Sequence, residues 1–281
     1  MTLIEHEGIE FKINDDGVLI RMENVYGRYS VVTHVEIPSV LDGIKITAIG
    51  ERFCVGTYEE IVVSPEIHAV QEGAFRTADV GIVHWPKTCT VIPENCFRCS
   101  LVKQVLGIED VEEIGNTAFW NCAMPEFNWP PKCEVIPDGC FSNSELWSIR
   151  GTENVKRVGN RAFFGTHISD INVKNAEEIG IEAFAHSTIR YIEWPDKFPK
   201  IPRACFYLSG LKSITNLKNV TQIEEYAFAG AEDLKGLNLS DSMILTVGEG
   251  AFEGVRAEEN IFPYYTDESA FKGSYQREDY L

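Results

Sequence analysis

The side chains with the most chemistry to offer are eight cysteines and six histidines. Cys96 and Cys99 form the single CxxC pair. A zinc site needs a second ligand pair, and a redox dithiol expects a βαβ surrounding; neither accompanies this pair. Cys96, Cys140 and Cys205 each stand just before a phenylalanine, where other copies of the same segment carry alanine. Cys89 and Cys133 fill an apolar position of that segment. A free cysteine behaves in a core as a small hydrophobe, so packing rather than reactivity is expected of all five. Cys96 and Cys140 fall two repeats apart, about 10 Å, too far for a disulfide. Cys99 and Cys122 sit two and three residues after successive phenylalanines. They are the one pair that stacking would bring near each other; the most that could form there is an adventitious bond, and none is expected.

The histidines, His6, His34, His68, His84, His167 and His186, form no HExxH. No GxSxG, P-loop or complete GxGxxG occurs, and the glycines around Gly248 and Gly250 flank the ordinary repeat anchor Ala251-Phe252. His84 falls on an outward strand position and reads as a solvated histidine. With no nucleophile, base and orienter legible, neither catalysis, a metal nor a cofactor is expected.

What positions these residues is a frame repeated along the chain. Phe53, Phe75, Phe97, Phe119, Phe141, Phe163, Phe184, Phe206, Phe228 and Phe252 recur at spacings of 22, 22, 22, 22, 22, 21, 22, 22 and 24, with Phe271 a further 19 on. A fixed period in this range marks a solenoid. Five residues before most anchors stands Ile or Val, as at Ile114 and Val158, and three residues before that a further apolar residue, from Ile46 to Ile244. Directly before the anchor only Ala or Cys is accepted in most copies, which marks a place where coils pack tightly. Five and eight residues after it come apolar pairs such as Val80 and Val83, or Leu211 and Ile214, shifted by one at Leu234 and Leu237. Ten residues after it come Trp85, Trp129, Val173 and Trp194, with Leu239 in the shifted copy. Such alternation predicts a strand with one face inward. Trp-Pro coils alternate with Ala-Phe coils, and the alternation breaks at the 21-residue step to Phe184. A coil of this length leaves room for no more than a helical or 3₁₀ turn around Ala-Phe.

Ahead of the repeat, Phe11-Lys12-Ile13 and Val18-Leu19-Ile20 flank Asn14-Asp15-Asp16-Gly17, which reads as a hairpin. Val31 to Ile37 reads as a strand ending at Pro38, and Asp42-Gly43 as a turn. The expected organisation is a β-rich N-terminal cap at 1–45, about ten coils at 46–255, and a C-terminal cap and tail at 256–281 holding Phe262 to Tyr265.

The run Val111-Glu112-Glu113-Ile114-Gly115-Asn116-Thr117-Ala118-Phe119-Trp120-Asn121-Cys122 resembles a BspA-like leucine-rich repeat. That family's pattern runs Leu-x-x-Ile-x-Ile-Pro, then Val-x-x-Ile-Gly, then Ala-Phe and a small or Cys residue. Val155 to Gly165 is similar, and Glu36 to Gly43 looks like the lead-in to a first repeat. The likeness covers about residues 35 to 255; the Trp-Pro copies depart from it, as do copies with Ile, Val or Met for Leu. The resemblance implies an α/β repeat solenoid, a right-handed superhelix with a parallel strand ladder. It also implies binding to proteins or surfaces, often outside the cell, with no shared catalytic residues.

A net charge of -18 and a pI near 4.8 set this surface against nucleic-acid phosphates and anionic membranes. No apolar run has transmembrane length, and Met1 to Asp16 lacks the basic and apolar regions of a signal peptide. A cytoplasmic protein is expected, or a cell-surface or secreted one if a leader was trimmed. Asn219-Val220-Thr221 and Asn238-Leu239-Ser240 are glycosylation sequons that matter only for an exported eukaryotic protein. The expected function is a non-catalytic protein-interaction scaffold, with an exported adhesin as the alternative. The partner would meet outward strand residues: Glu60, Ile82, His84, Gln104, Leu106, Glu126, Asn128, Arg150, Asp170, Asn172, Tyr191 and Glu193. Among these Ile82, Leu106 and Tyr191 are the apolar or aromatic candidates for anchors.

Overall fold

The structure, a computed structural model, describes residues 1–27, 30–237, 246–255 and 269. It divides into two compact units, Met1–Cys133 and Glu134–Leu281. Leu239, Ile244, the Asn238 sequon, Phe262 to Tyr265 and Phe271 lie outside the described residues, as does all of the expected C-terminal cap except Ser269.

The first unit opens with an antiparallel meander of Thr2–His6, Ile9–Ile13 and Val18–Asn24. The predicted hairpin is its second turn, where the Asn14 side chain accepts from the backbone N–H of Asp16 (3.0 Å) and Val18 (2.8 Å). Asp42 (φ 47°) and Gly43 (φ 80°) both take the left-handed backbone of a tight hairpin turn, here joining Val40–Leu41 to Ile44–Lys45. Val18–Asn24 then pairs in parallel with Ala48–Ile49 and Cys54–Val55.

The parallel ladder starts earlier than the phenylalanine count suggests. Val35–Ile37, Thr57–Val63, Asp79–His84 and Gln104–Leu106 pair in sequence. Val35, Ile61, Val83 and Val105 fall opposite one another and point inward, as the two-residue period requires. A second run of parallel pairing lies on the segment before each anchor, at Val91–Ile92 with Glu113–Ile114. The second unit repeats the plan. Tyr191–Glu193, Ser213–Thr215 and Gly236–Leu237 form its ladder. Val135–Ile136, Arg157–Val158 and Glu178–Ile179 form one second-side run, and Lys200–Ile201, Gln222–Ile223 and Thr246–Val247 another.

Each coil is therefore strand, bridge, short strand and turn: a β-solenoid with almost no helix. The α part of the expected α/β architecture is absent apart from one 3₁₀ turn, Thr152–Asn154, among the described residues. Around Ala-Phe the backbone is not helical. From Phe75 onward the residues two before and two after the phenylalanine are left-handed, for example Asn95 (φ 56°) and Cys99 (φ 58°), or Glu182 (φ 56°) and His186 (φ 57°). The reason lies in where the N–H groups go. Asn95, Phe97 and Cys99 donate forward to the carbonyls of Asn116, Ala118 and Trp120 in the next coil, at 3.1, 2.8 and 2.8 Å. The residues between them close turns within the coil, as Arg98 does to Asn95 (3.1 Å) and Ser100 to Phe97 (3.1 Å). A helix would direct every N–H along its own axis and leave none for the neighbouring coil. At the beginning of the first unit Met22 already donates forward to the Phe53 carbonyl (2.6 Å), and in the last described coil of the second unit Gly250 donates to Ser269 (3.0 Å).

Within each unit the phenylalanines from Phe75 onward stack as predicted, whereas Phe53 meets Phe75 edge-on at 5.0 Å. In the first unit Phe75, Phe97 and Phe119 have ring centroids 5.1 and 5.3 Å apart and nearly parallel planes. In the second, Phe141, Phe163, Phe184, Phe206, Phe228 and Phe252 follow at 5.5–5.7 Å. These are offset-stacking distances. The small-residue column, Ala74 to Ala251, is fully buried beside them. The 21-residue step does not disturb the stack, because the missing residue is taken from the bridge: Val155 closes on Thr152 in one coil, and Ala176 on Val173 in the shorter one. Tryptophan in the Trp-Pro coils fixes this same bridge. The indole N–H of Trp85, Trp129 and Trp194 donates to the backbone carbonyl four residues on, at 2.8, 2.9 and 3.1 Å.

Candidate functional site

The outward face of each ladder is where side chains escape the stacking rule. In the first unit it carries Glu60, Ile82, His84, Gln104, Leu106, Glu126 and Asn128. Glu60 is not a free carboxylate. One oxygen lies 2.7 Å from His34 Nδ1 and the other 2.7 Å from His84 Nε2, while His34 Nε2 approaches Glu36 at 3.5 Å. The Glu60 hydrogen bond holds the His34 imidazole above its ordinary range, and the His34 and His84 hydrogen bonds hold the Glu60 carboxyl below its own. His84 is thus tied to a partner rather than simply solvated. His34 was not a sequence candidate, because the repeat was counted from Ile46. Its signal is position: it directly precedes the rung Val35–Ile37, which pairs with the strand holding Glu60.

Ile82 and Leu106 are half-buried rather than exposed. Neighbouring rungs cover them: Ile82 lies between Glu60 and Gln104, and Leu106 stacks on His84. Both line a hollow of about 460 Å³ with Gln104, Glu126 and Asn128, bounded also by Lys103, Glu109 and Pro125. Gly81 lies at its edge; a Cβ there would stand 2.7 Å from the Glu59 carbonyl oxygen, so no larger residue fits.

In the second unit Asp170, Asn172, Tyr191 and Glu193 are exposed and line a hollow of about 420 Å³ with Lys174, Ser213 and Thr215. Tyr191 is 58% exposed. Arg150 is exposed and lines neither hollow, and Glu60 and His84 stand outside the first one. The sequence reading also passed over Trp147, 60% exposed and stacked 4.7 Å from His167.

The thiols pack as expected. All eight are free. Burial pushes Cys133 up to about 12 and raises Cys96 and Cys205 well above the usual thiol range, so they stay protonated and inert. Cys99 and Cys122 occupy different columns. Asn121 Nδ2 approaches Cys99 Sγ at 3.8 Å, whereas Cys122 Sγ turns inward to Ser100 Oγ (3.5 Å) and the Val102 carbonyl (3.4 Å). Asn219 is exposed, with its amide donating to the Asp196 carbonyl at 3.1 Å. Among the described residues no group of three or more His, Cys, Asp or Glu is arranged to hold a metal ion, and no helix is long and apolar enough to cross a membrane.

The family description "BspA type Leucine rich repeat region" matches residues 23–146 and 134–259, in 6 copies. No curated protein matches the chain. Among solved structures, a leucine-rich repeat protein from Bacteroides ovatus is 18% identical, with a TM-score of 0.50, over 89% of this chain and 79% of that one. That likeness is one of fold. A leucine rich cell surface protein from Faecalibacterium prausnitzii is 15% identical, with a TM-score of 0.42, over 88% and 94%. The pneumococcal vaccine antigen PcpA is 13% identical, with a TM-score of 0.43, over 96% and 91%.

Proposed function

We propose, starting from the fact that the chain belongs to the BspA-type leucine-rich repeat family, that it is a non-catalytic scaffold holding partner proteins on its outward strand faces. One observation carries this reading. The interior of every coil obeys one rule, while the outward ladder side chains follow none and surround open hollows in both units. A surface that is repetitive in backbone and individual in side chain suits recognition of an extended partner. An enzyme would instead concentrate its chemistry in one constellation.

The finer architecture belongs to the same reading: coils on a right-handed path, an N-terminal cap at 1–45, a solenoid at 46–255 and a C-terminal cap beyond it. The cap is supported by the pairing of Val18–Asn24 with Ala48–Ile49. Display outside the cell, as an adhesin, is the alternative setting for the same face, and a leader in the genomic reading frame would favour it over the cytoplasm.

The test uses binding partners recovered from the native source and then purified. Substituting Ile82→Asp, Leu106→Asp and Tyr191→Ala together is expected to weaken binding at least tenfold, as loss of anchor residues does, with the circular dichroism spectrum unchanged. Unaltered affinity in that variant removes the ladder as the binding site.

A further inference from the structure

The two hollows share a chemical plan. The first has a half-buried apolar floor, Ile82 and Leu106, with Glu109 and Glu126 at its margin. The second has the exposed ring of Tyr191, with Asp170 and Glu193 beside it. Each holds two carboxylates against a single lysine.

Away from the ladder, several carboxylates are matched from coil to coil. Asp110 meets Lys132 at 2.8 Å, Glu177 meets Lys197 at 2.7 Å and Glu182 meets Arg161 at 2.7 Å. The side-chain carboxylates of Glu109, Glu126 and Glu193 have no hydrogen bond or ion pair among the described residues. Behind them stands an excess of negative charge in each unit: 20 acidic residues against 10 basic in 1–133, and 23 against 15 in 134–281. Field lines from such a surface concentrate in concave places.

We propose that each hollow receives lysine or arginine side chains from a basic, extended segment of a partner protein lying on the ladder of its own unit. This rests on the ladder reading above and adds the class of partner. The aliphatic stem of such a side chain covers Ile82 and Leu106 while its head reaches Glu109 and Glu126. In the second hollow a cation lies over the Tyr191 ring beside Glu193. An acidic segment would meet unpaired carboxylates at both places, and a neutral one would leave them uncompensated.

The probe is a labelled peptide of alternating lysine and serine, titrated with the full chain by fluorescence anisotropy at low salt, beside a glutamate–serine counterpart. The lysine peptide is expected to bind and the glutamate peptide not to. The variant E109Q/E126Q/E193Q with Tyr191→Ala should lose at least tenfold in affinity. Three charge removals elsewhere, E5Q and E7Q on the meander with E253Q, should change it less than twofold. Equal losses in both variants would reduce the effect to diffuse charge and overturn the proposal, as would equal binding of the glutamate peptide or no binding of the lysine peptide. If the proposal fails while the Ile82, Leu106 and Tyr191 substitutions still abolish binding of the native partner, the ladder stands and only the class of partner is wrong.

Discussion

Along the phenylalanine column one ring follows another at 5.1–5.7 Å, with only alanine or cysteine beside most of them. On the outward ladder of the same coils, Glu60, Ile82 and Gln104 occupy equivalent rungs, and no two are alike. The physical difference is space. A column of rings in van der Waals contact admits one shape, and its neighbours must stay small for the coils to close. A ladder side chain answers only to a neighbour on either side and to water. Regularity therefore records what folds the chain, and irregularity records what is left for recognition.

The contrast is broken most directly by exchanging the two regions in one experiment. Phe163→Ala should cost about 3–5 kcal/mol by urea denaturation, since it empties a filled core site. Tyr191→Ala should cost no more than about 0.5 kcal/mol, as exposed positions do. Similar costs for the two would mean that the ladder carries structure as well. A middle-sized effect sharpens the picture. Trp194→Phe keeps most of the apolar packing but deprives the Phe198 carbonyl of its 3.1 Å donor, and should cost about 1–3 kcal/mol by the same assay.

The smallest effect concerns a ladder side chain that is already held by its neighbours, Glu60 between His34 and His84. His34 is raised, so its contribution is whole below its unfolded value near 6.5 and fades as pH rises through the folded one. Glu60 is lowered, so its contribution is whole above its unfolded value near 4.3 and fades as pH falls through the folded one. Amide protection factors along Thr57–Val63 should therefore peak between about pH 4.3 and 6.5. In Glu60→Gln the peak should vanish. A wild-type profile already flat over that range contradicts the bridge.

Much of the interior was legible because it repeats: the Phe column, the small column before it and the inward strand residues; the hairpin turns at Asn14–Gly17 and Asp42–Gly43 were legible from their turn residues. Three features were hidden for identifiable reasons. The left-handed positions flanking the phenylalanines from Phe75 onward are held by residues as unlike as Thr117, Arg161, Glu182 and Tyr226. The coil-to-coil hydrogen bonds impose that backbone, and residue propensity does not announce it. Thr2–His6 buries only Ile4, too little pattern for a strand to show. At the candidate site, position was legible and exposure was not: Ile82 and Leu106 alternate correctly, but a rung about 4.8 Å away shields them.

The forward-pointing N–H groups give every coil a head and a tail. Along the phenylalanine segment each coil presents carbonyls behind and amide hydrogens ahead, so that part of the stack cannot end cleanly at a chosen repeat. Met22 meets the Phe53 carbonyl on one side and Ser269 receives the Gly250 amide on the other. Adding or deleting a module in the middle leaves the count of donors and acceptors matched, whereas cutting after Phe252 would strand the Gly250 donor. Repeat number in such a protein is free to drift; its terminal segments are not.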